Sequence, residues 1–259
     1  MRRLIPSRFL RYVRPMTNAR DVLASFRALP VTGIEALTGT GPLLVLAPHP
    51  DDESLGCGGV IAEACARGET VYVTIVTDGA ASHPNSQTHS RKRLQSTREQ
   101  EVLAAVAELG LPPSRVSFLR LPDGRAPHRG PQFKDAVATL TRFARDNAIA
   151  TICTTWQHDP HPDHLASFRL ARATARSLGI RLFSYPVWGW TLSSRTWLPR
   201  AETDGFRVDV GAHLPAKRRA VACHKSQIAG LIEDDPAGFA LSHEFRAIFD
   251  GPFETFIRS

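Results

Sequence analysis

The sequence predicts an α/β fold, a doubly wound and mostly parallel sheet of Rossmann-like type with helices on both faces, in a single domain. Three observations carry this. Apolar runs of strand length alternate with longer segments of helical pattern. Glycines sit where those helices should stop. Two acidic, histidine-bearing turns each follow a strand-like run, at the carboxyl ends where open parallel sheets place their sites.

Taken in order, strands are expected at 43–47, 70–77, 115–119, 150–155 and 180–185, and helices at 58–67, 90–109, 132–147 and 164–178. Gly68, Gly110 and Gly179 occupy positions for left-handed C-caps, and Pro131 stands at a helix start. Repeated strand-then-helix order argues for right-handed βαβ units. After about residue 186 the pattern changes. Trp188, Trp190 and Trp197 fall in a loop-like region, followed by a strand at 206–210 and a helix at 215–224. Trp188 and Trp190 are either walls for a sugar ring or plain core anchors. The chain shows no repeat, low-complexity tract or long linker, so residues 41–259 are read as one domain preceded by a basic N-terminal arm at 1–40.

At 259 residues, with 42% hydrophobic and 22% charged residues, the chain is sized and composed for one soluble domain with a large core. Cys57, Cys65, Cys153 and Cys223 are scattered and read as free thiols in a reducing compartment, so the cytoplasm is the expected location. No stretch reaches the roughly 18 apolar residues of a transmembrane span, and no apolar segment follows the N-terminal arginines to make a signal peptide. The net charge of +7 gathers in residues 1–20, Arg91-Lys92-Arg93 and Lys217-Arg218-Arg219. None of these runs is interleaved with stacking aromatics, so solvated helix faces are favoured and no nucleic-acid partner is expected. The segment 5–13 mixes Phe9, Leu10 and Val13 with arginines, which leaves peripheral membrane contact open.

The chemistry is concentrated in two turns. Ala47-Pro48-His49-Pro50-Asp51-Asp52-Glu53 leaves the first apolar strand, and His158-Asp159-Pro160-His161-Pro162-Asp163-His164 leaves the strand at 150–155. Catalytic zinc is commonly held by three His, Asp, Glu or Cys ligands with one position open. His49, Asp52 and His164 would supply such a set. His49 and Asp52 are three apart, so one turn aims both at a point, and Asp51 between them is left to face water. Either turn alone could be ordinary loop chemistry, with proline fixing φ and Asp163 or Ser54 capping a helix. Two of them at strand ends favour the metal. A dinucleotide fingerprint at Gly56-Cys57-Gly58-Gly59 fails, because its sixth position is Ile61. Small residues there instead suit close helix packing on the sheet.

These turns resemble the LmbE and PIG-L family of zinc-dependent N-acetylglucosaminyl de-N-acetylases, which includes deacetylases of the mycothiol and bacillithiol pathways. The resemblance runs from about residue 41 to about 230. It is supported by Thr77-Asp78-Gly79, Arg98-Glu99-Gln100-Glu101, Leu121-Pro122-Asp123-Gly124 and His224-Lys225-Ser226-Gln227. It implies that His49, Asp52 and His164 bind Zn2+, with Fe2+ as the alternative ion, and that Asp51 is the general base. It further implies that His161 faces the reacting carbonyl as proton donor or oxyanion partner, oriented by Asp163, and that Arg98 and Asp123 contact substrate. Some relatives carry a tyrosine two residues before the first histidine of the second motif; Asp159 stands there here.

The expected function is a metal-dependent hydrolase that removes an N-acyl group, acetyl above all, from an amino sugar or sugar conjugate. Either His161 or Asp51 could return the proton to the leaving amine. The same constellation acting on another amide or a phosphoester, or a noncatalytic carbohydrate-binding module, are the alternatives. Asp51 beside an open metal position argues against the last.

Overall fold

A computed structural model describes residues 16–199, 204–228 and 230–259. The first elements are β1 (Met16–Asn18), α1 (Ala19–Arg27), β2 (Val31–Thr32) and α2 (Glu35–Thr38). The central series follows: β3 (Leu43–Ala47), α3 (Asp52–Ala66), β4 (Val71–Thr77), α4 (Arg91–Glu108), β5 (Val116–Leu121), α5 (Gly130–Asp146), β6 (Thr151–Thr155), α6 (Pro162–Leu178) and β7 (Arg181–Tyr185). Beyond it lie β8 (Trp197–Pro199), β9 (Gly205–Asp209), α7 (Leu214–Cys223), α8 (Lys225–Ile228), α9 (His243–Ala247) and β10 (Phe253–Arg258).

The main sheet has the order β2-β9-β10-β7-β6-β3-β4-β5. Neighbours from β7 through β5 are parallel, whereas β10 runs antiparallel to both β7 and β9. The mostly parallel, two-faced sheet expected from the sequence is thus present. Alternation along β3 shows why. Leu43, Val45 and Ala47 enter a core with α3, β4 and α4 residues such as Val60, Val73 and Val102. Leu44 and Leu46 enter the opposite core with Leu140, Phe168 and Ala171 of α5 and α6. A strand covered on both faces needs apolar residues at every position, which is what an unbroken Leu-Leu-Val-Leu-Ala run supplies.

Element boundaries in the central series lie close to those expected, and Gly68, Gly110 and Gly179 all adopt positive φ. The exception is α3, which begins at Asp52 rather than near residue 58. The glycines at 56–59 mark close packing within the helix, not its start. A Cβ at Gly56 would fall 2.2 Å from the Tyr185 ring, and one at Gly59 would fall 2.4 Å from Val210. Burial of the whole helix outweighs the low helix propensity of glycine.

The basic arm read at 1–40 is only partly within the described residues, and its proposed lipid-contact segment 5–13 lies outside them. Residues 16–38 are integrated into the fold. β1 pairs with β8, and β2 joins the edge of the main sheet through β9. Phe26 of α1 packs edge-on to Trp156, with ring centroids 5.1 Å apart. Amphipathic α1 buries Ala19, Val22, Leu23 and Phe26 in this third cluster. Among the described residues, no helix is long and apolar enough to cross a membrane.

Candidate active site

β3 passes through α3 to β4 on one side, while β6 lies on its other side, so the order reverses between β3 and β6. The carboxyl ends of strands flanking such a reversal leave a crevice. His49 to Glu53 leave β3 into that crevice, and His161 to His164 enter it from β6. A cavity of about 480 Å³ opens there, lined by His49, Asp51, Asp52, Asp123 and His161 among others.

Asp52 Oδ2 is the point of convergence. It lies 3.2 Å from His49 Nδ1 and 3.3 Å from His164 Nε2, and it also accepts a 3.0 Å hydrogen bond from the His49 backbone N–H. The His164 Nε2 is buried and has no hydrogen-bond partner. A ring nitrogen so placed, beside a carboxylate and a second imidazole, fits a divalent ion better than an apolar core. The ring nitrogens of His49, His161 and His164 also come within 4.8 Å of one another, as do ligand atoms of His49, Asp123 and Asp163. His49, Asp52 and His164 are therefore brought together, with His161 and two further carboxylates around them.

The charges are ordered by this crowding. Burial disfavours ionised Asp52, yet the nearby His164 charge, with the His49 hydrogen bond and charge, holds its carboxyl far below the usual range. Burial likewise opposes charge on His164, but Asp52 and Asp159 raise its pKa to about 9. Burial also acts against a charged His49, and hydrogen bonds to Asp123, Asp163 and Asp52 outweigh it, placing that pKa well above 6.5.

Asp51 is held differently. Its backbone has φ 144° and ψ −29°, a conformation that non-glycine residues rarely adopt. Its N–H donates to Glu53 Oε2 at 3.0 Å, and Glu53 Oε1 in turn contacts Ser54 Oγ at 2.7 Å and His224 Nε2 at 3.0 Å. Burial pushes the Asp51 carboxyl up to about 7, against the pull of Arg98, with neighbouring Asp52 adding to the rise. That value suits a group that takes a proton and returns it near neutral pH.

The contacts locate the expected residues and correct the orienting role of Asp163. Arg98 lines the cavity, and its buried guanidinium donates to Gly79 O, Pro50 O and Asp51 Oδ2 at 2.9, 2.7 and 3.0 Å. Asp163 does not hold His161 through its carboxylate. Those oxygens face His49 Nε2 at 3.1 Å and accept from Gly124 and Ala126 N–H groups at 2.7 and 2.9 Å. It is the Asp163 backbone N–H that donates to His161 Nδ1, at 3.2 Å, so His161 caps α6. Burial, then the positive His49 and His164, lower the His161 pKa to about 4. Asp123 does line the cavity; one oxygen accepts from Ala81 N–H at 2.8 Å and the other lies 3.4 Å from His49 Nε2. Trp188 is a wall of the cavity, whereas Trp190 packs against Phe26 and Arg27.

Three participants carried no role in the sequence reading. Asp159, fully buried, accepts from His164 Nδ1 at 2.9 Å and from the N–H groups of Val187, Trp188 and Gly189 at 3.0, 3.1 and 2.7 Å. It thereby fixes the ring with Nε2 directed into the crevice. His224 buttresses Glu53. Gln227, buried in the cavity wall, donates its amide to Ser82 and Ser226 but leaves Oε1 without a partner. The His-Lys-Ser-Gln motif was visible in the sequence; its meeting with the first turn across the fold was not.

An α/β scaffold with a His and carboxylate site at its switch point defines a hydrolytic enzyme of the deacetylase class. The chain belongs to the PIG-L family: the family model described as GlcNAc-PI de-N-acetylase matches residues 44–175. A relative from Nocardia farcinica, 1D-myo-inositol 2-acetamido-2-deoxy-alpha-D-glucopyranoside deacetylase, is 27% identical over 80% of this chain and 86% of its own. N,N'-diacetylchitobiose deacetylase from Pyrococcus horikoshii shares the fold with a TM-score of 0.61 and 21% identity, covering 83% of this chain and 82% of that one. The 4-carboxy-2-hydroxymuconate hydratase of Pseudomonas putida KT2440 also shares it, with a TM-score of 0.56 and 20% identity over 71% of this chain and 78% of that one. The fold alone thus does not fix the reaction, and the site must.

Proposed function

We propose that this protein removes the acetyl group from an N-acetylglucosamine-type sugar conjugate, using a divalent ion, zinc before ferrous iron, held by His49, Asp52 and His164. The observation that carries the reading is the approach of Asp52 Oδ2 to both histidines, next to the buried carboxyl of Asp51. A zinc ion bound there would supply Lewis acidity, toward the acetyl carbonyl and toward water.

The protein's own groups do the rest. Asp51 accepts the proton of the attacking water, and the hydrogen bond from Arg98 keeps its carboxylate from turning away. His161 Nδ1 is occupied by a backbone donor, so the neutral ring bears its proton on Nε2 and offers it as a hydrogen bond to the developing oxyanion. With Nδ1 occupied as an acceptor, His161 is held in its neutral form and is a poor store of a second proton. Asp51 is better suited to deliver the proton it took to the departing amine. Gln227 Oε1 and Asp123 are available as acceptors for sugar hydroxyls. The four unpaired cysteines, two of them buried, support a reducing compartment such as the cytoplasm.

The test is acetate release from N-acetylglucosamine conjugates by metal-depleted protein before and after reconstitution with zinc or ferrous iron. Release restored by metal supports the reading; none with either ion, at full occupancy, overturns it.

A further inference from the structure

A second cavity of about 350 Å³ adjoins the catalytic one, and Trp188, Phe239, Leu241 and Phe245 line both. All the charged catalytic groups lie at the inner end. The outer end adds Ile248, and its large side chains are left partly in water, Phe239 at 38% and Ile248 at 41% exposure. The aromatics pack on one another: Trp188 and Phe245 rings are 4.3 Å apart, Trp188 and Phe239 rings 5.8 Å. Rings that brace one another in this way lose little freedom when an apolar group lies on them.

The two hydroxyls of this outer chamber already bond within the protein. Thr191 Oγ1 donates to Trp188 O at 2.8 Å, and Ser242 Oγ accepts from the Phe245 N–H at 3.1 Å, capping α9. Glu244 is the charged residue of the lining, and it is exposed. A polyol occupying the chamber would give up water hydrogen bonds and find few replacements. An aryl ring or alkyl chain would lose nothing and cover the exposed Phe239 and Ile248.

We propose that the substrate's aglycone is apolar, an aryl or alkyl group, and that it lies along Trp188, Phe239, Phe245 and Ile248 while the acetamido sugar occupies the inner cavity. The identity of the sugar rests on the deacetylase reading; the apolar character of the chamber does not.

Two measurements separate them. The first compares kcat/KM for acetate release by zinc-loaded protein from N-acetylglucosamine bearing methyl, hexyl, phenyl or inositol groups at the anomeric oxygen. Each fully buried methylene favours binding by roughly fourfold, so the hexyl and phenyl glycosides should exceed the methyl one by at least about tenfold, chiefly through KM. Phe239→Ser and Ile248→Ser should shrink that ratio. The second titrates the hexyl and methyl glycosides calorimetrically into zinc-loaded Asp51→Asn protein, where tighter hexyl binding with a more negative heat-capacity change is expected. Hexyl preference in binding without acetate release from wild type would keep the chamber and sink the deacetylase reading. Equal binding of hexyl and methyl, preference for inositol, or ratios unmoved in both serine variants would overturn the chamber proposal. So would an Ile248→Ser change in oligomeric state without any alkyl preference, since a second copy would then be the occupant.

Discussion

Arg98 Nη2 lies 3.0 Å from Asp51 Oδ2, with both side chains almost wholly withdrawn from water. The guanidinium also bonds the Pro50 and Gly79 carbonyls, so one residue both positions the candidate base and lowers its proton affinity against the effect of burial. Removing that cation removes stabilisation of the carboxylate, and the Asp51 pKa should rise beyond about 7. In Arg98→Met the acid limb of the kcat/KM profile should therefore move to higher pH. An acid limb that stays put or moves lower, in protein shown to be folded and metal-loaded, would break the link between these residues.

Asp51→Asn keeps the shape of the base and cannot accept a proton. Turnover should fall by roughly 10²- to 10⁴-fold while metal content stays near that of wild type. Metal analysis beside steady-state kinetics checks both halves, and retained turnover would assign the base elsewhere.

The metal site should depend on a residue outside the ligand set. His164→Ala should lose most bound metal, since its Nε2 is one of the three proposed donors. Asp159→Asn should weaken metal affinity about 10- to 100-fold, because it loosens the ring without removing the ligand. Competition with a chelator measures both, and wild-type affinity in Asp159→Asn would show that the ring is positioned without it.

Metal-free protein should lose stability as pH rises. His164 has a folded pKa of about 9 against an ordinary 6.5, and His49 is also raised, so the folded state binds more protons than the unfolded one across this window. Their contribution is complete below about pH 6.5 and is lost as pH rises through about 9. Each kcal/mol lost should lower Tm by roughly 2–4 °C. Zinc should reverse the trend, because neutral imidazoles bind it and protons compete with it. Melting curves from pH 6 to 9, with and without metal, should diverge at the alkaline end; a flat metal-free Tm would contradict the charged state assigned to His49 and His164.

Much of this was legible in the sequence, for identifiable reasons. Strand β3 declares itself because burial on both faces demands an unbroken apolar run, and His49 to Asp52 because local spacing alone brings ligands together. What escaped depends on long-range meeting. Glu254 of β10 accepts from the Gly59 and Val60 N–H groups at 2.8 Å, yet Phe253–Arg258 carries no signal that it will return antiparallel beside β7. Asp159 reads as a loop residue, and only the fold places it against His164 and the turn at 187–189. The start of α3 was missed because glycine is a poor helix former, a local preference overridden by the need to pass close to Tyr185 and Val210.

Asp163 and His161 should separate in their effects, although they are two residues apart. The Asp163 carboxylate faces His49 and two backbone amides, so Asp163→Asn should reach the chemistry through His49: weaker metal binding, and lower stability by about 1–3 kcal/mol where an Asn amide faces a buried N–H. Losing that negative charge favours the neutral ring that the backbone donor on Nδ1 already selects, so the alkaline limb of the rate profile should not move. His161→Ala should do the reverse, depressing kcat far more than metal affinity, on the proposal that its Nε2–H faces the transition state. Measured at saturating zinc, an alkaline limb shifted to lower pH in Asp163→Asn would return the acid role to protonated His161. An unmoved limb, together with a kcat loss confined to His161→Ala, would leave both proton transfers with Asp51.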